Sequence, residues 1–348
     1  MVRVVFHNIL IVKPSSLGDV VHGLPVLVKL RRTFPGARIS WLVGMPAAAI
    51  VEGNPNLNEV IYFRRRAGGL FGTARAQAAL LRKLRRGKFD CVVDLQGLLR
   101  SALFSAATRA PVRIGLSDAR EGARWFYTDV VEVGARMHAV DRYLAVGKVL
   151  GFDSAEPEFA LEALPEARQS VERMLGAVAG VSRPFFALSL GARWASKEWP
   201  AENFAAAGSE LLERFGGTVF LVGAADAARR AREVEERMEH AVVNLVGRTS
   251  VGELVALISK MDLVVATDTG ILHIADALGR KVVGIFGPND PARSAPYFQR
   301  ENVLTAEGRC PKAPCMEHEC DGMDMICMKS VTGDDVVRRA RVILEGGI

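Results

Sequence analysis

Short apolar runs alternate along the chain with longer stretches in which apolar residues recur every three or four positions. The first run, residues 8–13, is followed by a loop of small residues and then by 19–32, whose apolar residues fall on one helical face. This succession predicts a strand, a turn and an amphipathic helix. The same pattern predicts further strands at 39–43, 60–63, 90–94, 112–116, 186–190, 219–222, 242–245, 263–266 and 282–286.

Further helices are predicted between these strands, at 70–86, 138–150, 201–214, 226–239, 250–260 and 270–278. Ser250 and Glu253 form a capping-box sequence at the start of one of them. Strands rich in Val, Ile and Leu that alternate with helices are typical of parallel sheets covered on both faces. The predicted fold class is therefore α/β, with two doubly wound domains facing each other across a cleft and a boundary in the proline-containing stretch 153–183.

Length and composition exclude several classes of protein. The chain has 348 residues, of which 49% are hydrophobic, which indicates a globular protein of two domains rather than a disordered or collagen-like one. No apolar run approaches the roughly 18–20 residues that cross a bilayer. Polar residues interrupt the apolar N-terminus and no small-residue cleavage site follows, so we predict an intracellular protein without a signal peptide.

The charge is unevenly distributed along the chain. Residues 1–150 contain 23 Lys and Arg against 10 Asp and Glu, whereas the remaining residues contain 22 and 29. A basic first half predicts an anionic partner, and charge alone leaves nucleic acid, an anionic membrane surface and an acidic substrate open. A basic surface that has no partner is an equally good interpretation at this point.

Sheets of this kind bind ligands at the carboxyl ends of their strands, and three loops there carry candidate chemistry. The first loop, 13–19, has small residues that allow close approach of the backbone, and the amides at the following helix start favour an anion. Its Asp19 is either a general base or a first-turn carboxylate that complements the helix dipole. The loop has neither the G-x-G-x-x-G spacing nor a Walker A motif, which disfavours a dehydrogenase and a P-loop NTPase.

The second loop joins a predicted strand to a helix and includes Asp268, Thr269, Gly270 and His273. Asp268 and Thr269 are good helix caps, and the amides of Thr269 and Gly270 provide a seat for a diphosphate. His273 lies about one turn into the helix. It either reaches the same ligand or packs as a structural residue.

The third loop, 191–200, follows the first predicted strand of the second half and contains Lys197. A lysine at a strand end neutralises phosphate on a departing nucleotide. The same lysine is equally compatible with a solvent-exposed charge.

Four cysteines are concentrated near the C-terminus, at Cys310, Cys315, Cys320 and Cys327. Their spacing departs from the tight CxxC pairs of zinc ribbons. We therefore interpret them as thiols that pack a loop, with a structural zinc site as the lesser alternative.

Six segments in chain order resemble glycosyltransferase family 9, and within it the ADP-heptose:lipopolysaccharide heptosyltransferases. They are KPSSLGDVVHGLP (13–25), DLQGLLRSA (94–102), DAREGARWFY (118–127), MHAVDR (137–142), SKEWP (196–200) and DTGILHIADALG (268–279). The first and third segments look most like heptosyltransferase I, which adds the first heptose to the inner core.

The resemblance implies the GT-B fold, with two Rossmann-like domains. An acceptor-binding domain is expected over 1–170 and a nucleotide-sugar-binding domain over 180–330. A C-terminal helix within 331–348 is expected to cross back to the first domain.

The resemblance also implies roles for individual residues. Asp19 matches the family's general base, and Lys197 matches the lysine near the donor phosphates. Asp226 stands where the family often has a glutamate that holds the adenosine ribose, and it completes a donor-binding set of Asp268, Thr269, Gly270, His273 and Asp226. The implied acceptor-binding set is Lys13, Ser15, Ser16, Arg64, Arg65, Arg66, Arg120 and His138.

The implied reaction is an inverting transfer of heptose from ADP-heptose to the Kdo inner core of lipopolysaccharide (Kdo-lipid A), without a metal or other cofactor. An acceptor with carboxylates and phosphates accounts for the basic first half, and it predicts a cytoplasmic enzyme in peripheral contact with the inner-membrane surface. Two alternatives remain: a family 9 transferase with another nucleotide sugar or acceptor, and a non-catalytic anion- or nucleic-acid-binding protein. Because no RNA- or DNA-binding module is recognisable and aromatic residues make up only 7%, we predict no nucleic-acid partner.

Overall fold

The computed structural model describes residues 5–306 and 308–346. It divides between Leu161 and Glu162 into two compact units. This division falls earlier than the end of the first predicted domain, residue 170. Positions 1–4, position 307 and the last two positions of the segment 331–348 lie outside the described residues.

The first unit is built on one six-stranded sheet in which every described strand pair is parallel. Its strands are β1 Asn8–Val12, β2 Arg38–Gly44, β3 Glu59–Phe63, β4 Cys91–Asp94, β5 Val112–Leu116 and β6 Asp129–Val131. The five strands that the apolar runs predict are all present, and β6 is an addition at the edge. The strand order is β3-β2-β1-β4-β5-β6, so the order reverses between β1 and β4.

The helices of the first unit are α1 Leu17–Thr33, α2 Gly69–Arg86, α3 Leu99–Thr108, α4 Ala139–Leu144 and α5 Gly147–Leu150, with 3₁₀ turns at Met45–Ile50 and Ala123–Phe126. The helix predicted at 138–150 is thus two short helices. Strand side chains such as Leu10 and Val92 form the core on the α2 side, where they meet Leu80 and Leu84 of that helix. The core therefore holds α2 by its C-terminal half.

The second unit repeats the same sheet. Its strands are β7 Phe185–Ser189, β8 Thr218–Val222, β9 Val243–Asn244, β10 Leu263–Thr267, β11 Lys281–Ile285 and β12 Val303–Leu304. The order β12-β11-β10-β7-β8-β9 reverses between β7 and β10. Counted from its own first strand, each sheet has the order 3-2-1-4-5-6 that defines the Rossmann fold. The predicted α/β class with two Rossmann-like domains is confirmed.

The helices of the second unit are α6 Pro165–Gly176, α7 Ala201–Phe215, α8 Ala228–Glu235, α9 Val251–Ile258, α10 Gly270–Ala277, α11 Pro291–Ser294, α12 Ile326–Lys329 and α13 Gly333–Glu345, with 3₁₀ turns at Ala195–Lys197, Ala225–Ala227 and Arg300–Asn302. The predicted capping box is present, because the Ser250 hydroxyl accepts from the Glu253 N–H at 3.2 Å and the Glu253 carboxylate accepts from the Ser250 N–H at 2.8 Å. Among the described residues, no helix is both long and apolar enough to cross a membrane.

The last helix, α13, packs inside the second unit. Its buried Val336, Val337 and Ala340 belong to the core that β7, β8, β10 and β11 share with α7. The start of α13 also lies against α7, because a Cβ on Gly333 would lie 3.0 Å from the side chain of Ala206 in that helix. The structure therefore places this helix on α7. Its apolar face is occupied by the second unit.

Removing buried volume from α13 is expected to destabilise the second unit. Val336→Ala deletes two methyl groups from a fully buried side chain, so we expect the free energy of unfolding to fall by roughly 2 kcal/mol. Val342→Ala, on the same helix but 51% exposed, is the matched control and should change it by less than about 0.5 kcal/mol. Equal effects of both variants in urea unfolding would contradict the packing of α13 on α7.

Candidate active site

The loop after β1 lies where the strand order of the first sheet reverses. Doubly wound sheets bind ligands at this point, outside the carboxyl ends of their strands. Lys13 directly follows β1, and its ammonium donates to the carbonyl of Leu95, which directly follows β4, at 3.3 Å. Because Lys13 is only 2% exposed, it acts as a buried link between the two strands that flank the reversal.

Asp19, in the first turn of α1, uses its two carboxylate oxygens differently. Oδ2 accepts from the backbone N–H of Ser16 at 3.0 Å and from its hydroxyl at 2.6 Å, which ties the helix start together. Oδ1 accepts from the Tyr143 hydroxyl at 3.0 Å and lies 3.7 Å from the Lys13 ammonium. Since 37% of the Asp19 side chain is exposed, the carboxylate supports the helix start and is also accessible.

The groups around Asp19 favour its ionised form. Burial alone would raise the pKa of Asp19, but the charge of Lys13 and the hydrogen bonds from Ser16 hold it well below its ordinary value of 3.8. Burial likewise works to lower the pKa of Lys13, and the facing Asp19 raises it above 10.5. Both members of the pair are therefore charged at neutral pH.

The residues that the resemblance assigns to the acceptor fall into a buried and an exposed group. His138 is 3% exposed and caps α4, where its Nδ1 accepts from the Val140 N–H at 3.2 Å. Lys13 is held by Asp19, and Ser16 is half-buried against the same carboxylate. The exposed group follows the carboxyl ends of β1, β3 and β5 and consists of Ser15, Arg64, Arg65, Arg66 and Arg120. The buried members shape the site, and the exposed ones are free to meet a ligand at its rim.

A buried carboxylate that the sequence analysis missed supports the neighbouring loop. Asp94, at the end of β4, accepts from the Tyr127 hydroxyl at 2.9 Å and from the N–H groups of Gln96 and Gly97 at 2.9 and 3.2 Å. Burial raises the pKa of Asp94, and these hydrogen bonds oppose the rise. Asp94 and Tyr127 both lie in segments that carry the family resemblance, which is the only sequence signal that points to them.

In the second unit, a lysine and an aspartate meet at the corresponding reversal of strand order. Lys197 comes from the loop after β7, and Asp268 directly follows β10. The Lys197 ammonium lies 2.8 Å from Asp268 Oδ2 and donates to the Asp268 carbonyl at 3.2 Å. The two side chains are 13% and 7% exposed, so the ion pair is largely removed from water.

Two further side chains complete the cluster around Asp268. His273 Nε2 lies 3.2 Å from Oδ1, and the amide of Asn289, in the loop after β11, donates to Oδ2. Burial alone would raise the pKa of Asp268, but the hydrogen bond with His273 and the charge of Lys197 hold it well below 3.8. The ionised carboxylate is thus satisfied by its neighbours. Asn289 is the member that the sequence analysis left unassigned.

Four buried side-chain oxygens at this edge have no hydrogen-bond partner among the described residues. They belong to Ser189 at the end of β7, Thr267 at the end of β10, Thr269 before α10 and Asn289 after β11. Buried polar atoms are nearly always bonded to protein, water or ligand. The first amides of α10, which begins at Gly270, add hydrogen-bond donors at the same place. The edge is therefore equipped for a polar, anionic ligand.

Two neighbouring segments differ in their contacts with the cluster of Lys197 and Asp268. Asp226 is exposed on the loop after β8, and no hydrogen bond or ion pair described for residues 5–306 joins it to Asp268 or Lys197. The Trp194 ring, in contrast, lies 4.5 Å from the Lys197 ammonium and stacks on His318 with ring centroids 3.8 Å apart. The cysteine-containing segment thus packs directly on the Lys197 loop.

The cysteines of that segment are free thiols, with Cys310 and Cys327 buried, Cys315 half-buried and Cys320 exposed. Burial, together with the other three cysteines nearby, raises the pKa of the Cys327 thiol to about 11. Within the described part of the chain, no group of three or more His, Cys, Asp and Glu side chains is arranged to hold a metal ion.

The model of glycosyltransferase family 9 (heptosyltransferase) matches residues 77–324. Lipopolysaccharide heptosyltransferase 1 of Pseudomonas aeruginosa is 30% identical over 323 residues, which cover 90% of this chain and 87% of that protein. Lipopolysaccharide core heptosyltransferase OpsX of Haemophilus influenzae is 25% identical over 304 residues, with coverages of 86% and 84%.

Two solved structures show the same fold. The family 9 glycosyl transferase from Veillonella parvula superimposes with a TM-score of 0.81 at 22% identity and covers 99% of both chains. E. coli heptosyltransferase WaaC with ADP gives a TM-score of 0.75 at 24% identity, covering 97% of this chain and 99% of that one.

Two Rossmann-like units, each with a lysine–aspartate pair at its switch point, define an α/β enzyme of the GT-B class. The solved structures support this class at the level of fold. The chain belongs to glycosyltransferase family 9, the heptosyltransferase family, and is a glycosyltransferase.

Neutralising Asp268 is expected to weaken the second unit in a pH-dependent manner. Loss of one partner of a buried ion pair costs roughly 3–5 kcal/mol, so we expect Asp268→Asn to lower the free energy of unfolding at pH 7 by that order. Because the folded-state pKa of Asp268 lies below its ordinary value, its contribution is complete above about pH 4 and is lost as the pH falls.

The difference in the free energy of unfolding between the wild type and Asp268→Asn, measured by urea unfolding, should therefore become smaller at acidic pH. Asp321→Asn is the control, because it breaks only an exposed ion pair with Lys312 and should change stability by less than about 0.5 kcal/mol. A difference that stays constant with pH would show that the charge of Asp268 is not what stabilises the unit.

Proposed function

We propose that this protein transfers heptose from ADP-heptose to the Kdo inner core of lipopolysaccharide, as a heptosyltransferase I, in the cytoplasm at the inner-membrane surface. The observation that carries the proposal is the edge around Lys197 and Asp268, where buried oxygens without partners and the first amides of α10 meet. The names of its relatives, lipopolysaccharide heptosyltransferases, support the choice of sugar and acceptor.

The donor diphosphate is proposed to lie at the N-terminus of α10. The amides of Thr269 and Gly270 would bind its oxygens, and the helix dipole favours negative charge there. Lys197 makes two contacts with Asp268, and we propose that its third ammonium hydrogen turns from the Trp194 ring to the phosphates when the donor binds. Since these groups already offset the charge of the leaving ADP, we expect EDTA to leave the rate unchanged.

Asp268 has a supporting part in this proposal. A carboxylate near a diphosphate would repel it unless its own charge were matched. Lys197 offsets that charge, and His273 and Asn289 form hydrogen bonds with the carboxylate. Asp268 therefore orients these three side chains at the donor edge without opposing the donor.

The acceptor is proposed to approach the exposed arginines at the carboxyl edge of the first sheet. Arg64, Arg65, Arg66 and Arg120 carry guanidinium groups, which bind carboxylates and phosphates through paired hydrogen bonds. Kdo supplies carboxylates and lipid A supplies phosphates. Lys13 and His138, which are buried, would act indirectly by fixing Asp19 and the start of α4.

Asp19 is proposed as the general base. The acceptor hydroxyl attacks the anomeric carbon opposite the departing ADP, its proton moves to Asp19 Oδ1, and the electron pair of the broken C1–O bond leaves with the diphosphate. The low pKa of Asp19 keeps it ionised before the reaction. The hydroxyl becomes acidic enough to lose its proton only as the new bond forms, which is when a positioned base is effective. The same negative charge stabilises an oxocarbenium-like transition state.

Crowding the start of α10 should weaken donor binding. A β-branched side chain at Gly270 obstructs the approach of a diphosphate to the amides, so we expect Gly270→Val to raise the Kd for ADP at least about tenfold, or ~1.4 kcal/mol. Calorimetry measures this directly. Gly176→Val is the control, because a Cβ at that position meets nothing within 4 Å. Unchanged ADP affinity in Gly270→Val would remove α10 from the donor site.

Replacing Asp19 tests the chemistry. Asp19→Asn keeps the side-chain shape but cannot accept the proton, so we expect kcat to fall by roughly 10²–10⁴ with ADP affinity unchanged. Tyr143→Phe, which removes one hydrogen bond to Asp19 but keeps the base, should have a much smaller effect. Transfer from ADP-heptose to Kdo2-lipid A, followed by mass spectrometry, is the measurement. A fully active Asp19→Asn enzyme would show that Asp19 is only a helix-cap carboxylate. If the wild type transfers heptose to another acceptor but not to Kdo2-lipid A, the proposed substrate is wrong.

A further inference from the structure

The N-terminal half of α2 stands away from the core of the first unit. Of its eighteen residues only Leu80 and Leu84, in the second half, are buried. At the other end, Leu70 and Phe71 are 89% and 93% exposed, the highest values among the exposed large hydrophobic residues described, together with Trp125 at 89%. Two adjacent large apolar side chains in water require an explanation.

A glycine turn holds these two side chains outward. Gly68 and Gly69 have φ values of +62° and +73°, which favour glycine. Gly72 is equally constrained, because a Cβ there would lie 2.1 Å from the carbonyl oxygen of Ala67. The turn leads directly into α2 at Gly69, and Leu70 and Phe71 follow at the exposed tip of the helix.

The charge around this tip has one sign. Residues 60–89 contain nine Lys and Arg and no Asp or Glu. At 3.6 residues per turn, five exposed apolar residues share one sector of α2, which Arg85 enters near the end of the helix, and three arginines lie in the next sector. The apolar sector is Leu70, Phe71, Ala74, Ala78 and Leu81, and the basic sector is Arg75, Arg82 and Arg86.

The basic end of α2 also forms a shallow depression. Its volume is ≈ 460 Å³, and its lining is Ala79, Arg82, Lys83, Arg86 and Gly87. The guanidinium groups of Arg82 and Arg86 suit a phosphate group that arrives from outside. The Lys83 ammonium lies 2.7 Å from the Glu59 carboxylate, so its charge is already paired. The apolar tip, the basic sector and the depression all lie on α2 and the residue after it, and we call them together the α2 surface (residues 69–87).

We propose that the α2 surface binds the surface of an anionic phospholipid bilayer, with Leu70 and Phe71 inserted among the headgroups and the basic side chains on lipid phosphates. An amphipathic helix with Phe and Leu beside Lys and Arg is suited to lie in a bilayer interface. A second copy of this surface would be repelled by its like charge, and a nucleic acid would leave Leu70 and Phe71 in water. The inference deepens the proposed function and rests on it only for the presence of a lipid-linked acceptor.

Vesicle sedimentation tests the surface without any acceptor. The full chain should bind vesicles of phosphatidylcholine and phosphatidylglycerol more tightly than vesicles of phosphatidylcholine alone, and salt should weaken the binding. Leu70→Ser/Phe71→Ser should reduce binding to anionic vesicles roughly tenfold or more, and so should Arg82→Glu/Arg86→Glu. Val342→Ser, an exposed apolar residue of α13, should bind as the wild type does. Equal binding of all four proteins would overturn the proposal.

A transfer assay separates this inference from the proposed function. Leu70→Ser/Phe71→Ser should transfer heptose normally to the acceptor in detergent micelles and more slowly to the same acceptor in anionic vesicles. If the wild type binds vesicles but transfers no heptose to either, the proposed function fails and the inference stands. If the wild type transfers heptose but prefers neutral vesicles, or if the variant differs from it only in oligomeric state by sedimentation velocity, the inference fails and the proposed function stands.

Discussion

Both candidate sites depend on the reversal of strand order within a parallel sheet. At that point the loops that follow two adjacent strands turn to opposite faces of the sheet, which leaves a crevice at the carboxyl edge. A charged side chain that enters such a crevice needs a partner, because an unpaired buried charge is costly. Each unit meets this requirement with one lysine and one aspartate, Lys13 with Asp19 and Lys197 with Asp268. The remaining contacts of both sites are built around these two pairs.

The two lysine–aspartate pairs differ in how accessible their carboxylates are. Lys13 lies in the loop after β1 and Asp19 in the first turn of α1, and 37% of the Asp19 side chain is exposed, so a ligand can reach it. Lys197 and Asp268 lie 71 residues apart, and His273 and Asn289 close around the carboxylate. The first arrangement leaves a carboxylate oxygen accessible, whereas the second surrounds its carboxylate with hydrogen-bond partners.

The sequence predicts the features that depend on residues close together in the chain. All ten predicted strands are present, because runs of Val, Ile and Leu mark strands that are buried on both faces. The two strands that were not predicted, β6 and β12, have only three and two residues and form by pairing with a neighbouring strand. The cap at Ser250 and the helix-start role of Asp19 are equally local. Partners that arrive from far along the chain, such as Tyr143 for Asp19 and Asn289 for Asp268, depend on the order of the strands and leave no periodic signal. For the same reason, amphipathicity predicts α13 but not the unit on which it packs.

The double use of the Asp19 carboxylate has a consequence for how this enzyme can evolve. Asn at this position preserves the hydrogen-bonded helix start and gives up the proton acceptor, while Glu preserves the acid but carries it one methylene beyond Ser16 and Tyr143. The start of α1 and the proposed proton transfer thus depend on the two oxygens of one carboxylate, so a substitution that alters one also affects the other. Substitutions that adapt the protein to heat, or to a different acceptor hydroxyl, are therefore expected at the residues that hold the carboxylate in place, and not at Asp19 itself.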